Sequence, residues 1–184
     1  MLLNTADSGL LLVDVQQKLT PWVEQSDQLI ANCRWLLELA QVLDIPILAS
    51  EHYAQGLGAT VPALSELLTT EQVIAKVEFS CGQNQACQQA IAYLNKPQWV
   101  LAGIEAHVCV LQTALDLAIT HNVFVVADAI SSRDPKDKAL ALQRLTAHGV
   151  GVVSREMVFF EWLQRAATPE FKQLSQQFIK RSDS

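Results

Sequence analysis

The sequence predicts an α/β protein built on a doubly wound, Rossmann-like sheet of six parallel strands with helices on both faces. Three observations carry that prediction. Short apolar runs occur at six places, residues 10–13, 46–49, 73–77, 99–104, 123–127 and 150–153. Helical patterns separate them, and strand, helix, strand in repetition makes a parallel sheet covered on both faces. Half of the 184 residues are hydrophobic and only 17% are charged, where an average domain has about a quarter, so much of the chain must be buried.

Each element has its own reason. Residues 10–13, Leu-Leu-Leu-Val, are apolar without alternation, as a strand buried on both faces requires. Leu29, Ile30, Cys33, Leu36, Leu37, Ala40 and Leu43 then recur at helical spacing and give a long helix one face to lay on the sheet. The runs at 46–49, 73–77 and 99–104 supply three more strands, and 123–127 a fifth. Asp134 is placed to cap a helix that begins with Pro135, carries Asp137 in its first turn and stops at Gly149. The run at 150–153 is the sixth strand. From Pro169 onward Phe171, Leu174, Phe178 and Ile179 share one helical face, which must pack on the chain's own core or on a partner. No repeat, low-complexity tract or linker interrupts the pattern, and 1–184 reads as a single domain.

Thirteen Lys and Arg against 19 Asp and Glu give a formal net charge of -6, and the only basic run is Lys180-Arg181. Nucleic acid is therefore not an expected partner. The apolar run at 99–104 falls far short of the roughly 20 residues of a membrane span, and the N-terminus lacks a leader pattern, so no membrane is expected. The four cysteines, at 33, 81, 87 and 109, form no CxxC pair. A reducing, cytoplasmic setting is expected. The absence of GxGxxG and GxxxxGK[ST] argues against a nucleotide- or flavin-binding domain, and no cofactor is expected.

In open α/β sheets the ligand lies beyond the carboxyl ends of the strands, where the strand order reverses. Asp14 ends the first run, Lys76 lies near the end of the third, and Cys109 follows the fourth in Gly-Ile-Glu-Ala-His-Val-Cys. A carboxylate, a lysine and a thiol thus share one rim. Each has a plain structural use: Asp14 as a loop anchor, Lys76 as a lysine snorkelling from an edge strand, Cys109 as an inert buried thiol. Together they have a chemical one, for the lysine arm can reach Asp14 across the intervening strand. Val110, Ala114, Leu117 and Ala118 continue at helical spacing, placing Cys109 near a helix N-terminus. There the dipole favours thiolate and free N–H groups can hold an oxyanion.

The combination resembles the isochorismatase-like superfamily of cysteine hydrolases over nearly the whole chain. The matching pieces are Leu12-Val13-Asp14-Val15-Gln16, Lys76-Val77-Glu78-Phe79-Ser80, Gly103-Ile104-Glu105-Ala106-His107-Val108-Cys109-Val110 and Val126-Ala127-Asp128-Ala129. The resemblance implies that Asp14, Lys76 and Cys109 form a catalytic triad. It also implies a six-stranded parallel sheet, homo-oligomers and a cis peptide between Ile104 and Glu105. The expected chemistry is attack of the Cys109 sulfur on the carbonyl of a small-molecule substrate, with the oxyanion on the N–H groups of Glu105 and Cys109.

The segment Ser50-Glu51-His52-Tyr53-Ala54-Gln55-Gly56-Leu57-Gly58 departs from the metal-binding loop of the nicotinamidase branch. Ser50 stands at the Asp position, and no second His occurs before His107. No metal is expected. Cys109 argues against isochorismatase chemistry, which needs no cysteine nucleophile. The Glu-His-Tyr-x-x-Gly-Leu-Gly loop and Glu-Ala-His-Val-Cys look most like the isochorismatase-domain-containing hydrolases. The expected activity is hydrolysis of a small amide or related acyl C–N bond. The alternatives are a catalytically silent binding or scaffold protein of the same fold, and an isochorismatase- or nicotinamidase-type hydrolase. Strand-end position nominates Trp22, His52, Tyr53, Leu57, Phe79, Ser80, Glu105 and His107 as pocket residues, and Asp128 as a loop anchor with Ser131 and Ser132.

Overall fold

In the computed structural model, which describes residues 1–179, all six apolar runs are strands. β1 (Ser8–Val13), β2 (Ile47–His52), β3 (Val73–Lys76), β4 (Gln98–Ile104), β5 (Asn122–Ser131) and β6 (Gly151–Val153) form one sheet in the order β3-β2-β1-β4-β5-β6. Every pairing is parallel. The helices are α1 (Ser26–Val42), α2 (Ala54–Leu57), α3 (Pro62–Ser65), α4 (Gln85–Leu94), α5 (Leu111–Leu117), α6 (Pro135–Ala147), α7 (Arg155–Leu163) and α8 (Pro169–Leu174).

The period-two geometry of a strand sends alternate residues to opposite faces, and the two cores sort accordingly. Leu10 and Leu12 of β1 join Val100, Ala102 and Ile104 of β4 under α1, α3 and α7. Leu11 and Val13 join Trp99 and Leu101 under α4, α5 and α6. With both faces covered, β1 and β4 have no reason to alternate polar and apolar residues, and all thirteen of their positions are buried. Burying a side chain such as Leu contributes roughly 1.5–3 kcal/mol, so the two central strands anchor the molecule.

The helix boundaries follow their end signals. Asp134 accepts a hydrogen bond from the Lys136 N–H at 2.8 Å, and α6 ends at Ala147, two residues before Gly149 at φ +80°. The tail docks on the chain's own core: Leu174 and Phe178 are buried, and Phe178 meets Trp35 edge-on at 5.4 Å between ring centroids. Phe171 and Ile179 pack beside them. Lys180 and Arg181 lie outside the described residues. Asp128 corrects its expected role. It does not work with Ser131 and Ser132 but accepts from the Arg155 N–H at 2.8 Å, tying β5 to the start of α7. Ser131 instead donates to the Glu24 carbonyl. Among the described residues no helix is long and apolar enough to cross a membrane.

The sheet turns at β1 and β4. From β1 the chain proceeds outward to β2 and β3, then returns to β4 on the other side of β1, and that reversal opens a crevice beyond the strand ends. Asp14 leaves β1 there with φ 51°, a left-handed conformation that Asp tolerates better than most residues. Gly103 of β4 faces Val13 so closely that a Cβ would lie 2.0 Å from the Val13 carbonyl oxygen, and its φ is +124°. Only glycine fits.

Candidate active site

At the crevice β1, β2, β3 and β4 deliver their terminal residues side by side. The register pairs Val13 with Ser50, His52 with Lys76 and Val13 with Gly103. The Lys76 side chain lies under the end of β2 and donates to Oδ2 of Asp14 at 2.6 Å and to the carbonyls of Glu78 and Phe79, each at 3.1 Å. Its three ammonium protons are thus all used. The other Asp14 oxygen, Oδ1, accepts from the Ser50 hydroxyl at 2.7 Å. Burial opposes the charge on Lys76, but Asp14, helped by the Cys109 and Cys81 sulfurs, outweighs it and raises the lysine above its ordinary value. The pair is ionic.

Cys109 completes the group. It occupies a π-helical turn, Ala106–Val110, that runs into α5, and its buried thiol lies within reach of the Asp14 charge. The peptide joining Ile104 and Glu105 is cis, and the Glu105 carbonyl accepts from the N–H groups of Val108 and Val110 at 3.0 and 3.2 Å. One sequence expectation fails here. Burial and the Asp14 charge raise the Cys109 thiol well above its ordinary value, and Lys76 only partly offsets them. The resting sulfur is therefore a thiol rather than a preformed thiolate. Position in the helix points one way, but burial beside an anion decides.

The other nominated residues fall into distinct settings. Glu105 and Trp22 line one cavity of about 410 Å³ with Leu19 and Arg133, and Oε2 of Glu105 takes the Arg133 N–H and Nε–H at 3.1 and 3.0 Å. Tyr53 lies apart from them, in a second cavity of about 370 Å³ that also reaches Lys76 and Val77. His52 packs its ring 5.1 Å from that of half-exposed Phe79, and its Nδ1 is buried without a hydrogen-bond partner. Leu57 is half-buried in α2. Ser80 is buried and donates to Asp116 at 2.6 Å while accepting from the Gly82 N–H. The ring nitrogens of His107 face the Ser132 hydroxyl at 2.9 Å and Asp137 at 3.7 Å, across to the start of α6.

Several contributors escaped the sequence reading. Ser50 entered it only as the residue replacing a metal-ligating Asp, yet it hydrogen-bonds the buried carboxylate. Gln16 holds the His52 loop, accepting from the His52 N–H at 2.7 Å and donating to the carbonyls of His52 and Gly58. Arg133, in Ser-Ser-Arg-Asp-Pro after β5, had no local signal at all. Glu51 is engaged by the Thr60 N–H and hydroxyl at 2.6 and 2.8 Å. Among the described residues no three His, Cys, Asp or Glu side chains gather in a set suited to a metal ion.

Comparison with known proteins adds the following. A family model described as Isochorismatase domain matches residues 8–157. The isochorismatase domain-containing protein 2 of Danio rerio is 38% identical over 175 residues, covering 94% of this chain and 87% of its own. Among solved structures, the MAR1 ribonuclease of Caenorhabditis elegans superposes with a TM-score of 0.91 at 32% identity, over 100% of this chain and 95% of the other. The YcaC gene product of Escherichia coli, described as an octameric hydrolase of unknown specificity, has a TM-score of 0.86 at 23% identity over 98% of both chains.

Proposed function

The chain belongs to the isochorismatase family, and from that premise we propose that it is a cysteine hydrolase cleaving a small amide or related acyl C–N bond. The observation that carries the reading is the buried Lys76–Asp14 ion pair at the strand ends, with the buried Cys109 thiol within reach of the same carboxylate. Desolvating two charges is costly unless they are well paired, and here the pair abuts a nucleophile at the switch point of the sheet. A packing role for either side chain would not need the other two.

The mechanism follows from the protonation states. Asp14 takes the proton of the Cys109 thiol as the sulfur attacks the carbonyl carbon, so a thiolate forms only when a substrate is there to receive it. Lys76 balances the charge on Asp14 before transfer, and Ser50 fixes the carboxylate orientation. The oxyanion is held by the N–H groups of Glu105 and Cys109. Protonated Asp14 gives its proton to the departing amine, leaving a thioester. Water, deprotonated by Asp14, then attacks the thioester carbon, and the proton returns to the Cys109 sulfur as the acid leaves. The cavity beside Trp22 and Arg133 suits a small molecule. Trp22, Tyr53, Val77 and Phe79 are exposed, which supports a homo-oligomer. The free state of all four cysteines supports a cytoplasmic setting.

A panel of small amides, carbamates and ureas, assayed for ammonia or amine release with hydroxylamine trapping of the acyl-enzyme, tests the reading. Turnover by the wild type, an acyl group on Cys109 by peptide mass, and its loss in Cys109→Ala are expected. Wild-type turnover in Cys109→Ala would overturn it. Release of ribonucleotides from RNA with the small amides untouched would point instead to the activity named for the nematode neighbour, which the net charge of -6 does not favour.

A further inference from the structure

The end of β5 and the loop after it grip the segment that carries the Glu105 N–H and Cys109. Between β4 and β5 the register shifts: β5 advances five residues, from Val125 to Ile130, while β4 advances two, from Leu101 to Gly103. The strands then pair again, Ile104 with Ser131, and that pairing sets Ser132 and Arg133 beside Glu105. The loop is fixed from behind. The Ser131 hydroxyl donates to the Glu24 carbonyl at 2.6 Å, the Ser132 carbonyl accepts from the Glu24 N–H at 3.0 Å, and Asp134 caps α6.

Two arms reach out from it. The Arg133 N–H and Nε–H both donate to Oε2 of Glu105, whose side chain is only 12% exposed. The bond from the backbone N–H is charge-assisted and set by the loop itself, whereas the guanidinium is largely exposed and contributes less. The buried Ser132 hydroxyl shares a hydrogen bond of 2.9 Å with Nδ1 of His107, and Asp137 in the first turn of α6 stands 3.7 Å from Nε2. The arms fall on either side of Ala106. The Glu105 carbonyl in turn accepts from the N–H groups of Val108 and Val110, which flank Cys109, so the direction of Glu105 and the seat of Cys109 are set together.

We propose that Glu105 and His107 are positioning residues, gripped by the loop at 131–134 so that the backbone N–H groups of Glu105 and Cys109 aim at one point. The role rests on the hydrolase reading, since only an oxyanion gains from that aim. A backbone N–H cannot find its target by rotating a side chain, and a misplacement of about 1 Å can cost about a hundredfold in rate. Neither the imidazole of His107 nor the carboxylate of Glu105 need touch the substrate for this.

Two reactions of Cys109 separate aiming from packing, because attack on p-nitrophenyl acetate builds an oxyanion and attack on iodoacetamide builds none. Both are followed by peptide mass on the full-length protein, with p-nitrophenolate release timing the first. In His107→Ala and Ser132→Ala acylation should slow about ten- to a hundredfold, while alkylation stays within about twofold of the wild type. The double variant should be no slower than the slower single one, as groups acting through one hydrogen bond require. His107→Asn, whose amide stands where Nδ1 stood, should regain most of the rate, and Glu105→Ala should show the same split between the two reactions. On the best amide kcat should fall with KM unchanged. A KM rise with kcat kept would make His107 a substrate contact, an equal loss in both reactions would make the loop mere packing, and unchanged acylation would leave it without a role; each overturns the proposal. Failure of wild-type Cys109 to accept any acyl group refutes the hydrolase reading instead. The grip is then read from hydrogen exchange, in which the amides of 105–110 should exchange about tenfold faster in Ser132→Ala, and unchanged protection would overturn it.

Discussion

The ammonium of Lys76 stands 2.6 Å from Oδ2 of Asp14, and neither side chain has any exposure to solvent. Removing one member strands the other, whereas removing both leaves nothing to solvate.

Lys76→Met should therefore destabilise the fold by about 3–5 kcal/mol, and the double variant with Asp14→Asn should recover most of that loss. Urea denaturation of the two single variants and the double one measures it. Turnover should be lost in all three. A single-variant loss under about 1 kcal/mol, typical of an exposed ion pair, would contradict the buried geometry. The pH sign is fixed as well. Lys76 is raised in the folded state, so its contribution is full below the unfolded lysine value of about 10.4 and falls as pH rises through the folded one.

Ser50→Ala removes the hydroxyl donor to Oδ1 of Asp14 without touching Lys76. A hydrogen bond to a buried charge contributes roughly 1.5–3 kcal/mol, so acylation should slow by about ten- to a hundredfold. Single-turnover kinetics on the best amide would show it, and Ser50→Thr, which restores a hydroxyl, should regain part of the rate. An unchanged rate in Ser50→Ala would leave Ser50 a merely structural neighbour.

What the sequence made legible and what it hid divide along a physical line. β1 and β4 were readable because burial on both faces leaves an unbroken apolar run, and α6 because Asp134, Pro135 and Gly149 mark its ends locally. The rim positions of Asp14, Lys76 and Cys109 followed from strand ends alone. Ser50 beside Asp14 and Arg133 on Glu105 depend on register between strands or on the packing of one loop against another, and no local pattern encodes those. The protonation of Cys109 was misjudged for the same reason: the helix start is visible in sequence, while the depth of burial beside Asp14 is not.

Because burial and the Asp14 charge raise the Cys109 thiol, it should stay protonated across neutral and mildly alkaline pH. Its alkylation by iodoacetamide should climb steadily from pH 6 to 9 with no plateau. Peptide-resolved rates at each pH provide the check. A plateau with a midpoint below the ordinary thiol value of about 8.5 would reveal a preformed thiolate and remove the need for Asp14 as the base.

Turnover should need no metal. A zinc site usually takes about three protein ligands with tetrahedral placement, each free to bind. Around the crevice the donors are committed elsewhere. Ser50, in place of a carboxylate, donates a hydrogen bond to Asp14, and Glu51 is occupied by the Thr60 N–H and hydroxyl. His107 faces Ser132 and Asp137, and Glu105 holds Arg133. His52 alone keeps an uncommitted buried nitrogen, and a substrate hydrogen bond would satisfy it. Exhaustive treatment with a strong chelator should leave the rate unchanged, and His52→Asn should raise KM more than it lowers kcat, as expected for a group that binds rather than reacts. Activity lost to the chelator and restored by zinc, iron or manganese would require His52 to be a ligand and would shift the reading to the nicotinamidase-type reaction.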